Sequence, residues 1–144
     1  MGDLSALFLF ACGVDSLHNV SGAKTGALDE TNHMFWNWNQ GYIFFKFEGE
    51  FGTFGYPREG YTIHIGGFKG KFSCIQKCTF NLSNPIQSQL GKASSVTCNF
   101  MIDEIFVHPR NIGFGTYYSS VSDSMFNLIS QNYKDCIVID KISN

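Results

Sequence analysis

Two stretches decide the fold: Tyr42-Ile43-Phe44-Phe45-Lys46-Phe47-Glu48-Gly49-Glu50, and Tyr61-Thr62-Ile63-His64-Ile65 closed by Gly66-Gly67. The first is aromatic, alternates weakly and stops at glycine. Both read as β-strands, with Gly55 to Gly60, containing Pro57, as the turn between them. Side chains alternate across a strand, so His64 faces away from Ile63 and Ile65.

Working outward, Ile75 to Leu82 and Val96 to Asp103 alternate polar and apolar residues, as half-buried strands do, with the polar turn Ser83 to Ser95 between them. Cys136 to Ile142 reads as a last strand, and residues 4–12 as a buried first one. Residues 13–33 carry little apolar periodicity and read as a long loop. Met125 to Tyr133 is the one segment with helical spacing, and Ser122 or Asp123 could cap it. Short strands with glycine punctuation predict an all-β fold, an antiparallel β-sandwich of jelly-roll or Ig-like type, with one short helix near the C-terminus.

Composition agrees. The 144 residues suit one domain, 1–144. Charged residues are 15% and aromatics 16%, the opposite of a disordered chain. A net charge of -2, with no cluster of Lys and Arg, excludes a nucleic-acid footprint as the main business. No apolar run reaches the 18 or so residues of a membrane-spanning helix. Leu9-Phe10-Ala11-Cys12 loosely resembles the box before a lipidated cysteine. Met1-Gly2-Asp3 lacks the positive charge of a signal, so a strand is the preferred reading.

The chemistry-bearing residues are sparse. The five cysteines, Cys12, Cys74, Cys78, Cys98 and Cys136, are odd in number. Cys74 and Cys78 on one strand would stand about 13 Å apart, too far for a disulfide or a shared metal, so small core residues is the reading preferred for the cysteines. No two of His18, His33, His64 and His108 have the spacing of a local metal pair, and no nucleophile, phosphate-loop or zinc-protease motif occurs. Asp15 and Asp29 suit bonds to loop amides. Spacing alone leads to an aromatic all-β domain and no further.

A series of short pieces says more: Gly13-Val14-Asp15-Ser16, Gly26-Ala27-Leu28-Asp29, Met34-Phe35-Trp36-Asn37-Trp38-Asn39-Gln40-Gly41-Tyr42, Lys46-Phe47-Glu48-Gly49 and His64-Ile65-Gly66-Gly67. In that order the chain resembles the MbnP-like copper-binding domain family. That family includes proteins of methanobactin operons and copper-repressible surface proteins, with many relatives in Bacteroidota. The resemblance covers residues 5 to about 142. It implies a periplasmic or cell-surface β-sandwich that binds or handles copper and is not an enzyme. It also implies a partner, a MauG-like di-haem enzyme that oxidises a tryptophan to kynurenine. Carried over, Trp36 or Trp38 is the residue to be modified and His64 the histidine ligand, with His18 or His33 as a further nitrogen. Full-length members carry strands upstream, so this chain is expected to be N-terminally shortened.

The chemistry is consistent: imidazole and an aromatic amine suit copper, whereas an intact indole N–H only donates. Two other readings stay open. Trp36 and Trp38, two apart on a strand, would share a face and serve only for packing. Or the domain is a metal-free surface or ligand-binding module whose Trp36, Trp38 and Tyr42 stack on a partner.

Overall fold

The computed structural model describes residues 6–52, 54–82, 86, 90–113 and 123–143. The two deciding stretches pair as expected. β3 (Gly41–Phe51) and β4 (Glu59–Gly66) run antiparallel, with Lys46 opposite His64 and Phe47 opposite Ile63. β2 (Phe35–Asn37) joins the other edge of β3. β1 (Ala6–Cys12) pairs with β5 (Gln76–Leu82), and β6 (Ser95–Phe100) with β7 (Ile137–Ser143). Every pairing is antiparallel, so the expected all-β antiparallel sandwich, with its short C-terminal helix α2 (Asp123–Ser130), is borne out.

The core follows from the alternation. Ile63 and Ile65 of β4 are fully buried and pack with Cys74, Ile105, Ile112, Ile129, Tyr133 and Cys136. Phe44, Phe45 and Phe47 of β3 cover that cluster from the side. Each buried isoleucine contributes about 1.5–3 kcal/mol of transfer free energy. No helix among the described residues is long and apolar enough to cross a membrane.

Four expectations are corrected. β1 exists but is not buried: Leu7 is 64% and Leu9 61% exposed, and only alternate residues turn inward. One face of β1 is therefore uncovered, although its composition reads as apolar throughout. Residues 13–33 are not a featureless loop. They hold α1 (Ser16–Val20) and 3-10 turns at Gly26–Leu28 and Glu30–Asn32, started by Asp15 and Asp29, whose carboxylates accept from His18 N–H and Thr31 N–H at 2.9 Å each. The final strand begins at Ile137, because Cys136 ends a further helix, α3 (Tyr133–Cys136).

The expected helix is likewise split, α2 ending at Ser130. Buried Asn132 sits at the break and donates to the carbonyls of Ile105 (2.8 Å) and Arg110 (3.0 Å), tying the helical corner to the preceding loop. The proposed cap at Ser122 lies outside the described residues.

Candidate metal centre

The tryptophan motif forms the short strand β2 and a turn, and the two rings go to different places. Phe35 opposes Tyr42 and Asn37 opposes Gly41, so Trp36 is the extra residue of a bulge. A bulge re-aims its side chain, and the Trp36 ring lies against β4 at Gly66. A Cβ on Gly66 would stand 2.7 Å from Trp36 Cζ3 and 2.5 Å from the Tyr42 carbonyl, so only glycine fits there. Phe126 of α2 stacks on the other side of the indole, ring centres 6.3 Å apart. Trp36, Phe68, Phe72 and Phe126, with Gln40 and Lys69, line a cavity of about 510 Å³.

Trp38 does not share that face. β2 ends at Asn37, and Trp38 sits in the turn, 47% exposed, its ring edge-on to Phe35 at 4.8 Å. The two indoles thus have different neighbours, Phe35 for Trp38 and Gly66 with Phe126 for Trp36. The same-face expectation fails because strand geometry stops one residue too early. Tyr42 is also withdrawn from any exposed aromatic platform: it is buried, and its hydroxyl donates to the Leu28 carbonyl at 2.7 Å.

His64 leaves β4 on the face opposite Ile63 and Ile65, which is also the face of Gly66. Two residues along a strand span roughly 6.6 Å. The imidazole is held from the neighbouring strand: His64 Nε2 lies 2.6 Å from Glu48 Oε1, and Lys46 Nζ stands 3.5 Å from the other carboxylate oxygen. The bond from His64, followed by the Lys46 charge, holds the Glu48 carboxyl below its ordinary range. A carboxylate only accepts, so Nε2 carries the proton, and Nδ1 is the nitrogen left to ligate a metal. Carboxylate-held histidines are the usual form of metal-ligating imidazole.

The other two candidate histidines, His18 and His33, stand on the segment that precedes β2. His18 belongs to α1, and its Nδ1 is 2.5 Å from Asp15 Oδ2 on an exposed surface. His33 ends the second 3-10 turn with φ 57, a left-handed position that usually takes glycine or asparagine. Its backbone role accounts for its place. Among the described residues no three His, Cys, Asp or Glu side chains are grouped to hold an ion. Any site here must therefore draw a donor from outside those residue types, which an intact indole cannot supply.

Sequence reasoning assigned no role to Asn19 and missed the partnership of Glu48 with His64. Asn19 is fully buried, donates to the carbonyls of Val14 (2.7 Å) and Asp15 (3.0 Å) and accepts from Tyr42 N–H at 2.9 Å. A Cβ on Gly41 would stand 2.1 Å from Asn19 Oδ1. The Gly-Val-Asp-Ser, Ala-Leu-Asp and Gly-Tyr pieces are thus bound to one another, and they fix the start of β3 beside the Trp36 bulge. The cue in the sequence was an asparagine four residues after the helix cap; its partner, 23 residues on, could not be read there.

Against models of known protein families, that of MbnP matches residues 5–125. No curated protein and no solved structure matches.

Proposed function

The chain belongs to the MbnP family, and on that premise we propose that it is a copper-binding, copper-handling protein acting at the cell surface or in the periplasm, not an enzyme. Its ligands are His64 and the kynurenine formed from Trp36. The observation that carries the reading is the contact of the Trp36 ring with Gly66, two residues along β4 from His64, with His64 held by Glu48.

Trp36 is preferred to Trp38 because it lines the cavity and faces β4. Oxidation replaces one ring carbon, lost as formate, by a ketone oxygen and frees an aryl amine with a lone pair. The oxidant is the MauG-like di-haem partner together with oxygen or peroxide. Amine and imidazole nitrogens suit copper. His18, held by Asp15 in the same manner as His64 by Glu48, keeps its Nε2 as a further nitrogen; His33 is the weaker choice.

The test is co-production with a di-haem partner, followed by elemental analysis and peptide mass measurement. The expected result is near-stoichiometric copper and a Trp36 peptide that has lost a carbon and gained an oxygen. Copper below about a tenth of an equivalent, with an intact Trp36, would leave the second reading, a metal-free module binding its ligand in the Trp36-lined cavity.

A further inference from the structure

A separate pair of side chains stands at the junction of β1 and β5. Cys12 Sγ and Cys78 Sγ are 3.6 Å apart, although they arise 66 residues from each other in the chain. Cys136 and Cys74 direct their thiols to the carbonyls of Asn132 and Phe72, at 3.1 and 3.5 Å, and Cys98 is exposed. Beside Cys12 opens a second cavity of about 360 Å³, lined by Cys12, Gly13, Phe44, Phe45, Phe100 and Tyr133. The Tyr133 hydroxyl is buried there without a hydrogen-bond partner. An orphaned buried hydroxyl costs about 1–3 kcal/mol.

We propose that Cys12 and Cys78 form a two-thiolate clamp for a soft monovalent cation, copper(I), independent of the Trp36–His64 site. Cys12 pairs with Gln76 and Cys78 with Phe10, so the two cysteines are diagonal rather than direct neighbours. Diagonal Cβ atoms lie up to about 7–8 Å apart. A disulfide brings them to about 3.8 Å, which would pull the strands together. An ion between the two sulfurs spreads them only to about 4.5 Å, twice a metal–sulfur bond, so the pair opens by less than about 1 Å.

Zinc is a poor occupant because it wants four ligands, while soft thiolates select copper(I) and two of them suffice for it. Binding replaces two S–H bonds by two S–Cu bonds, releases two protons and leaves the copper oxidation state unchanged. The complex carries one negative charge. Burial pushes the Cys12 thiol up to about 12, so the empty site holds neutral thiols. Cys78, with Asp135 and Lys134 nearby, is also raised by burial.

The experiment uses the full chain produced without a di-haem partner, so that both tryptophans are intact. Copper(I) is titrated anaerobically against a chromogenic copper(I) chelator. One equivalent is expected, with ultraviolet thiolate-to-copper absorption, abolished by C12S and by C78S and retained by C98S. If serine loosens the β1–β5 pairing, thiol alkylation of the folded native chain carries the test: copper(I) should protect Cys12 and leave exposed Cys98 reactive, and Cys12 alkylated equally with and without copper(I) would overturn the proposal. Binding unchanged in folded C12S and C78S would overturn the proposal. So would an isolated protein lighter by two hydrogens and restored by reductant, which would make the pair a disulfide.

Discussion

Replacing Asn19 with alanine removes three hydrogen bonds at once. The Asp15 carbonyl keeps a donor, because Asn19 N–H also bonds to it at 3.0 Å. The Val14 carbonyl and the buried Tyr42 N–H do not. At about 1–3 kcal/mol for each group left unpaired, and with Val14 half-exposed and partly rescued by water, the loss is about 3 kcal/mol. That is a large share of the roughly 5–15 kcal/mol a domain of this kind has. It corresponds to a fall of about 10 °C in Tm at this chain length. Urea unfolding followed by fluorescence of Trp36 and Trp38 would measure it. Gly41→Ala strikes the same bond from the other side, since its Cβ would stand 2.1 Å from Asn19 Oδ1 at a backbone φ of 82. The two losses should therefore not add, and N19A/G41A should be less destabilised than the sum of the single variants. A loss under about 1 kcal/mol for N19A, or strict additivity, would refute the view that these motif residues share one anchor.

Gly66→Ala should push the indole off β4, lowering stability by about 1–3 kcal/mol and shifting the tryptophan emission, while Gly22→Ala, with open space around it, should leave the emission unchanged. Ile65→Ala empties a fully buried position and should cost about 2–5 kcal/mol by chemical unfolding. Asp29 accepts from the Thr31 hydroxyl and backbone N–H, which hold its carboxyl below the ordinary range, so it stabilises the fold above that range and the contribution fades as pH falls through the lowered value. The Tm gap between wild type and D29N should accordingly be present at neutral pH and narrow as the pH falls below the ordinary aspartate range. Glu48→Gln should reduce copper affinity of the oxidised protein by about 10–100-fold at unchanged stoichiometry, read by chelator competition.

The strands were legible because alternation records which residues face the core: Ile63 and Ile65 point inward and His64 outward, as their spacing says. Exposure of a whole strand face was not legible, and Leu7 and Leu9 are the example, since apolar side chains do not reveal what covers them. The segment 13–33 hid its helix for a related reason. α1 is held by one polar residue, Asn19, and not by an apolar stripe, so no periodicity marks it. At the candidate site the motif residues were identified from the sequence. Their directions depended on where β2 ended, and a one-residue difference separates Trp38 from Trp36. The Glu48–His64 and Cys12–Cys78 approaches are both diagonal contacts between strands. They follow from register, which no single strand carries in its own sequence.

The most direct test of the account is a crystal structure of the copper-loaded, oxidised protein with the ion located by its anomalous scattering. The account predicts a copper atom within about 2 Å of His64 Nδ1 and of the amine nitrogen of the residue formed from Trp36, the length of a metal–imidazole bond. A copper atom remote from both nitrogens, or one found only between Cys12 and Cys78, would contradict it.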